Sequence, residues 1–395
     1  MNSKKFNIYY FGDIGAYDEY NPDAILSKDY AHEILYLIAK NNPYEITSFD
    51  IATLLNLDNV LVNNLLSELK RINAITERNH TYKINFPVFL ENDLYHIKDY
   101  LQNVAPIIGK KIISIKDLLE KEIRKFSCFK NFSNERIMYH IVGDSIFDGY
   151  AFSYFSERNL LTQSKKQPGN KDYIIIGYEN KPSLSLHSRK LLCSSNNYYH
   201  HNITFNSFGD GDGNRKDMFR FLRMFQKCIS HFSPYNELNT LYNDIITEYN
   251  DNFFDICYNI FMKAQKDIIV VDSLNKMEKK VLALLCEMRY LEVENKMINI
   301  VVPIFYTSEA KLIRTIGENV LSTIFEDVKR ALLELERINL TSNKHHVERR
   351  DIANEMWHQI FGFTNDYLIS GGFIQAPDSY EGEGKYLKSI TIKDI

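Results

Sequence analysis

Two stretches far apart in this chain read as the same run of structure. Residues 65–89 are LLSELKRINAITERNHTYKINFPVF and residues 284–305 are LLCEMRYLEVENKMINIVVPIF. Each opens on Leu-Leu-x-Glu-apolar, Leu65 to Leu69 and Leu284 to Met288. Each then passes a polar tip and enters an apolar strand that closes on Pro-apolar-Phe, at Pro87, Val88, Phe89 and at Pro303, Ile304, Phe305. The second stretch is shorter between helix and proline, which implies a trimmed turn. Two more blocks match in the same order: residues 146–163 with 360–375, and KDYIIIGY with GKYLKSIT. This order points to two diverged copies of one unit, roughly 28–180 and 245–393. A period that long excludes arrays built on repeats of about 20–50 residues and leaves a tandem domain.

The chain has 395 residues, enough for two or three domains. Its 45% hydrophobic and 25% charged content is that of a globular protein. No apolar run approaches the roughly 20 residues of a membrane span. The start, MNSKKFNIYYFGDIGAYDEY, lacks the apolar core and cleavage site of a secretory signal. Five scattered cysteines without a CxxC pair suit reduced thiols in a cytoplasmic protein. A net charge of −4 excludes a chain that coats nucleic acid, but not a local basic face.

Residues 31–42 place Ile34, Leu35, Ile38 and Ala39 on one helical face, and Pro43 ends the helix. Thr47 and Ser48 can cap a second helix with Asp50 in its first turn. Leu57-Asp58-Asn59 turns into a third helix, VLVNNLLSELKRIN. Two strands follow, 74–78 and 81–86, joined by Asn79-His80. Ile51, Ala52, Leu55, Leu57, Val62, Leu66 and Leu69 fill the core positions. The stretch IATLLNLDNVLVNNLLSEL resembles the helix-turn-helix of bacterial winged-helix transcription regulators, over about residues 28–90. The resemblance implies a reading helix that meets a major groove with Val60, Leu61, Asn63, Asn64 and Leu65. Ser67, Lys70 and Arg71 would lie behind them, and the wing would add Arg78, His80 and Lys83. Asn can bridge adenine, and apolar groups can touch a thymine methyl. Residues 28–90 carry six Lys/Arg against seven Asp/Glu, a thin footprint for phosphate. The competing reading is a winged helix used as a protein interface. After the wing comes a long helical stretch broken at Pro106. Its Lys110, Lys111, Lys121, Arg124, Lys125 and Lys130 read as a solvated face or a DNA flank. In the next helix His140, Asp144 and Asp148 share a face, an arrangement that more often holds structural acids than a metal.

The centre, residues 189–227, has no evident second copy. KLLCS and NITFNSF read as strands around Ser195-Asn196-Asn197, followed by the loop Gly209 to Asn214 and a helix from about Arg215. Asp210, Asp212, Asn214 and Asp217 have the first spacings of a Ca²⁺ loop. Arg215 stands where an EF-hand needs Gly and Phe221 where it needs Glu, so an EF-hand is excluded. A capped turn and a small ligand site made by Ser194, Ser195, Asn196, Asn197, Asp210, Asp212 and Asn214 both remain. In the second copy, Met356, Trp357, Ile360 and Phe361 form a core face, and His345-His346 lies on an exposed connector.

These readings give an α+β fold, mainly helical: two diverged winged-helix-containing units joined by a β-rich centre. The expected order is an arm (1–27), a winged helix (28–92), a helical extension and strand (93–180), the centre (181–244) and a degenerate second unit (245–393). No Walker loop, HExxH or Cys/His cluster is visible, so no enzyme, metal or cofactor is expected. The leading reading is a cytoplasmic DNA-binding regulator with a ligand- or partner-sensing centre and no membrane contact, acting as a homodimer or an intrachain pseudo-dimer. The alternative is a protein-interaction scaffold.

Overall fold

The computed structural model describes residues 5–182, 184, 190–211, 214–226, 236–248, 252–266 and 270–394. The fold is α+β and mainly helical, with 56% helix and several small sheets. The first part of the chain runs β1 (Phe6–Asp13), α1 (Pro22–Leu26), α2 (Ala31–Lys40), α3 (Ser48–Leu55), α4 (Asn59–Arg71), β2 (Ile75–Arg78), β3 (Thr81–Ile84) and β4 (Val88–Phe89). Next come α5 (Glu91–Ser114), α6 (Lys116–Ile123), α7 (Asn134–Met138), a π-helical stretch (Tyr139–Tyr150), α8 (Ala151–Glu157), β5 (Lys166–Gln167) and β6 (Lys171–Glu179). The remainder is β7 (Leu192–His200), β8 (Ile203–Asp210), α9 (Met218–Gln226), α10 (Asn236–Glu248), α11 (Phe253–Lys266), α12 (Lys276–Glu287), β9 (Leu291–Glu294), β10 (Met297–Ile300), β11 (Ile304–Tyr306), α13 (Ala310–Glu334), α14 (Thr341–Lys344), α15 (Arg349–Ser370), β12 (Asp378–Tyr380) and β13 (Gly384–Ile392).

The compact units interleave in sequence where consecutive domains were expected. One comprises Met1–Lys110, Tyr150–Arg189 and Thr323–Thr364; the other comprises Lys111–Gly149, Lys190–Ser322 and Asn365–Ile395. Divisions fall inside α5, the π-helical stretch, α13 and α15. Helix α5 continues through Pro106, which was expected to break it. Proline there forgoes only its own N–H bond to the preceding turn.

In the first unit α2, α3 and α4 form a three-helix cluster closed by the β2–β3 hairpin. Thr47 caps α3 in a capping box with Asp50, and Asp58 caps α4 by accepting from the N–H groups of Val60 and Leu61. Ile34, Leu35, Ile38, Ile51, Val62, Leu66 and Leu69 are buried together, as their spacing predicts. Leu65 is buried with them and leaves the groove-facing set. Asn79 and His80 have φ of 51° and 58°, the two left-handed residues of a tight hairpin turn. The sheet runs β1-β6-β4, with β1 antiparallel and β4 parallel to β6 and with β5 folding back on β6. Residues 1–27 are therefore not merely an arm, since β1 is a full sheet strand.

His345 is buried in this unit, although the connector was expected to be exposed. Its Nδ1 accepts from the Ile84 N–H (3.3 Å), and its Nε2–H donates to the Ala39 carbonyl (3.1 Å). Lys83 donates to the carbonyls of His345 (3.0 Å) and His346 (3.4 Å). A polar connector satisfies hairpin and α2 backbone groups that would otherwise be stranded.

The second unit has its own sheet, β11-β13-β8-β7, with β12 folding back on β13. Here β8 is antiparallel and β11 parallel to β13. Its core gathers Phe205, Phe261, Val281, Leu285, Tyr290 and Ile390. The β9–β10 turn again uses two left-handed residues, Asn295 and Lys296, with φ of 51° and 67°. No turn is trimmed. The cap Ile72 stands as far before Pro87 as the cap Met288 stands before Pro303. No helix among the described residues is long and apolar enough to cross a membrane.

Burial of the ring pushes the His345 pKa down to about 4, so the folded state holds it neutral. The folded pKa lies below the unfolded one, so stability is lost as pH falls from about 6.5 toward 4. His345→Ala strands the Ala39 carbonyl and the Ile84 N–H. It should cost about 1–3 kcal/mol at pH 7 and flatten that acid-side slope, as read by urea melts at several pH values.

Candidate functional site

The predicted DNA face is assembled only in part. On α4, Val60, Leu61, Asn63, Asn64 and Ser67 are exposed. The cations behind them are engaged: Lys70 pairs with Glu77, and Arg71 pairs with Glu19 at 3.1 Å. Lys83 serves the His345 connector, and its pKa is lowered by burial first and then by Lys165. Arg78 and His80 stay exposed at the hairpin tip. On the long helical stretch after the hairpin, Lys125 pairs with Glu122 at 2.6 Å. Large apolar side chains also face solvent on α3 and α4: Phe49 is 67% exposed, Leu54 63%, Val60 67% and Leu61 41%.

The predicted ligand loop takes another form. Ser194, Ser195, Asn196 and Asn197 lie inside β7, and the turn falls instead at His201-Asn202. Asp212 lies outside the described residues. Asn214 donates its N–H to the Gly382 carbonyl (2.9 Å). Ser194 and Asp210 come together around Arg215, which is wholly buried and lies outside the expected ligand set. Its guanidinium donates to the Ser194 carbonyl (3.0 Å), to the Ser207 hydroxyl (3.2 Å) and to the Asp210 carbonyl. The Asp210 carboxylate accepts from the Lys385 N–H at 3.0 Å. Asp217 caps α9 by accepting from the Arg220 N–H (2.7 Å), and burial raises its pKa against the pull of Arg215.

The π-helical stretch joins the same network. The Ser195 hydroxyl donates to Asp144 (2.6 Å) and its N–H to Asp148 (3.0 Å). Burial pushes the Asp144 carboxyl up to about 7, and the Ser195 bond only partly opposes it. The His140 ring is pushed down to about 3 by burial, with Arg136 nearby, and its Nε2 has no partner among the described residues. Tyr139 donates to the Phe208 carbonyl at 3.1 Å. Asn196 Nδ2 and Asn197 Oδ1 are also buried without a partner among the described residues. Among the described residues no group of three or more His, Cys, Asp or Glu is placed to hold a metal ion.

A second cluster on the same sheet was not legible at all. Tyr386 donates to Glu383 (2.6 Å) and accepts from the Lys216 N–H (3.0 Å). Arg289 donates to Glu383 and to the Tyr386 hydroxyl (2.8 Å) and stacks over the Tyr380 ring. Lys388, from the middle of β13, donates to the Met288 and Lys216 carbonyls and lies 4.6 Å from the Tyr290 ring centre. Burial holds its ammonium down to about 7.

The first unit has a smaller counterpart on α15. Tyr178 donates to Glu355 at 2.5 Å, and Gln359 donates to the same oxygen at 2.7 Å. Phe11 stacks on His358 at 4.2 Å. Met356, Trp357, Ile360 and Phe361 are fully buried, as their spacing predicts, but polar residues of the same helix are buried too. No family model, no curated protein and no solved structure matches this chain.

Two outcomes follow from this geometry. Arg215→Met strands Asp217 in the interior and should cost about 3–5 kcal/mol in urea melts, and adding Asp217→Asn should recover most of the loss. The Asp144 carboxyl has a folded pKa above its unfolded value, so its contribution is full at low pH and is lost between about pH 4 and 7. Asp144→Asn keeps an acceptor for Ser195 without the titration. The melting temperature of the variant should equal wild type near pH 4 and exceed it near pH 8.

Proposed function

We propose that this chain is a tandem of two diverged winged-helix-containing repeats that works as a protein-interaction scaffold. Structural marks recur in the same order in support of the tandem, those from helix to proline at one constant spacing. Left-handed Asn73 matches left-handed Arg289, and the Asn79-His80 turn matches Asn295-Lys296. The Ala74 N–H donates to the Leu69 carbonyl, and the Tyr290 N–H to the Leu285 carbonyl. Pro87 offers its carbonyl to Gly177 at 2.9 Å, and Pro303 offers its own to Ile390 at 2.9 Å.

The likeness extends to the first strands. Phe11-Gly12-Asp13 ends β1, and Phe208-Gly209-Asp210 ends β8. Gly12 faces Tyr173, and Gly209 faces Tyr386. A Cβ at either glycine would collide with the carbonyl of Asp172 or of Lys385. This reading gives the centre a partner in the N-terminal strand and widens the first repeat to include β1.

The observation that carries the scaffold reading is the state of the α3–α4 face. Lys70, Arg71 and Lys83 are tied within the unit, while Phe49, Leu54, Val60 and Leu61 face water. A DNA reader needs free cations for phosphate, and exposed apolar groups favour a protein surface. DNA binding by a cytoplasmic regulator is the second reading, favoured by exposed Asn63 and Asn64 beside Arg78 and His80.

A photo-crosslinking amino acid at position 60 of the full chain should trap a protein in its native cells, with less trapping after Leu54→Asp. Titration of a random-sequence duplex pool should stay within non-specific affinity, about 10⁻⁴–10⁻⁶ M. Tight, sequence-selective binding lost on Asn63→Ala would overturn the scaffold reading in favour of DNA.

A further inference from the structure

We propose that the outer edge of β1 docks an extended, Lys- or Arg-bearing segment of a partner protein, which adds as an antiparallel strand. This deepens the interaction reading and rests on its premise that the partner is a protein, but it uses a different surface.

Strand β1 is eight residues long and, among the described residues, pairs with β6 alone. The alternation of its backbone is fixed by two bonds. Asn180 N–H donates to the Lys5 carbonyl (2.7 Å), so odd-numbered residues turn toward β6. Gly177, opposite Ile8, donates away from β1 to Pro87, so Ile8 turns outward. Ile8, Tyr10 and Gly12 thus present N–H and C=O groups to the open side, and among the described residues no strand receives them. A groove of about 250 Å³ runs beside them, lined by Phe6 to Tyr10, Asp23, Leu26, Ser27 and His32. Phe6–Asp13 contains neither Lys nor Pro, the residues that usually blunt a free edge.

The second unit shows what completes such an edge. β8 ends in the same Phe-Gly-Asp and sits on β13 as β1 sits on β6. Its outer side is filled by β7, antiparallel, with Tyr198 opposite Phe205 and Asn196 opposite Ser207. β7 contains no acid.

Charge selects the occupant. Between β1 and α2 lie Asp18, Glu19, Asp23 and Asp29 after Asp13, against Lys28 alone. Lys171 takes Asp18, Arg71 takes Glu19, and Lys28 is held by Glu68. Asp23 remains in the groove itself. A second copy of β1 would bring two acidic edges together, whereas a basic strand gains both ladder bonds and opposite charge.

The probe is a labelled synthetic peptide with the sequence of residues 191–200 carrying Ser194→Lys and Asn196→Lys, titrated by anisotropy into the full chain. Its twin carries Asp at the same two places. The Lys peptide should bind saturably, at least about tenfold tighter than the Asp peptide, and slow amide exchange at Ile8, Tyr10 and Gly12. Ile8→Pro removes an outward N–H that the β6 ladder does not use and should abolish binding. Asp23→Lys should reverse the peptide preference with the melting temperature unchanged. No binding, equal binding of both peptides, or exchange protection elsewhere overturns the proposal. So does a dimer in light scattering that Ile8→Pro dissociates, which would give the edge to a second copy. Loss of crosslinking at position 60 bears on the scaffold reading, and the peptide titration bears on this edge alone.

Discussion

A strand in the middle of a sheet must find backbone partners on both sides, and each unit is organised around one such strand. β6 lies between β1 and β4, and β13 lies between β8 and β11. The partners come from far away in sequence. β6 waits for a strand laid down before α2 and for another laid down just after the hairpin. Burying β6 without either would leave a row of N–H and C=O groups unpaired, at about 1–3 kcal/mol each. The hairpin and three-helix cluster can form from local contacts. The sheet cannot, since it ties β1 to β6 and β8 to β13 across long stretches of sequence.

The polar interior follows from what stands on that strand. In the first unit Tyr173 donates to the Ile72 carbonyl at 3.4 Å, and Ile175 two residues on is buried and apolar. In the second unit Tyr386 stands opposite Gly209, as Tyr173 stands opposite Gly12, and two residues on is Lys388. Its ammonium reaches the Met288 carbonyl, the cap of α12, as Tyr173 reaches the cap of α4. One site is solved with a phenol and a hydrocarbon, the other with a buried amine. A buried charge network is not the cheaper solution, because desolvation offsets much of the Coulomb gain. Lys388, Arg289, Glu383 and Arg215 therefore mark the place where the second unit departs from simple packing.

Much of the helical architecture was legible because its signals are local. Caps at Thr47 and Asp58, the apolar stripe of α2 and the Asn79-His80 turn each depend on neighbours within a few residues. The long-range marks were harder. Matching distant helices is ambiguous in sequence, because an apolar stripe repeats every three or four residues and Leu-Leu occurs at both Leu65-Leu66 and Leu284-Leu285. Phe-Gly-Asp is a weak signal at three residues, and what precedes it, Ile-Tyr-Tyr in one strand and Phe-Asn-Ser in the other, shares no side chain. Pairing with Tyr173 and Tyr386 makes that glycine obligatory, and pairing is not written in the strand itself. Arg215 gives no sign of its burial in sequence, because a lone Arg after a Gly-Asp loop normally faces solvent. His345 is buried on a connector whose polar composition predicts exposure.

The same pairing logic accounts for the difference in how the two sheets end. β7 precedes β8 with only His201 and Asn202 between them, so the second sheet carries its own edge strand as a hairpin. Among the described residues no strand lies on the outer side of β1. A long apolar edge without Lys or Pro is a liability in a free protein, since it pairs with whatever extended chain it meets. Acids placed beside it, Asp23 above all, restrict that choice by repelling a second acidic edge. A surface that is open, flat and selective by charge has the physical attributes of a recognition edge, and a sheet edge that needed only protection would have met the same constraint more simply with a lysine on β1.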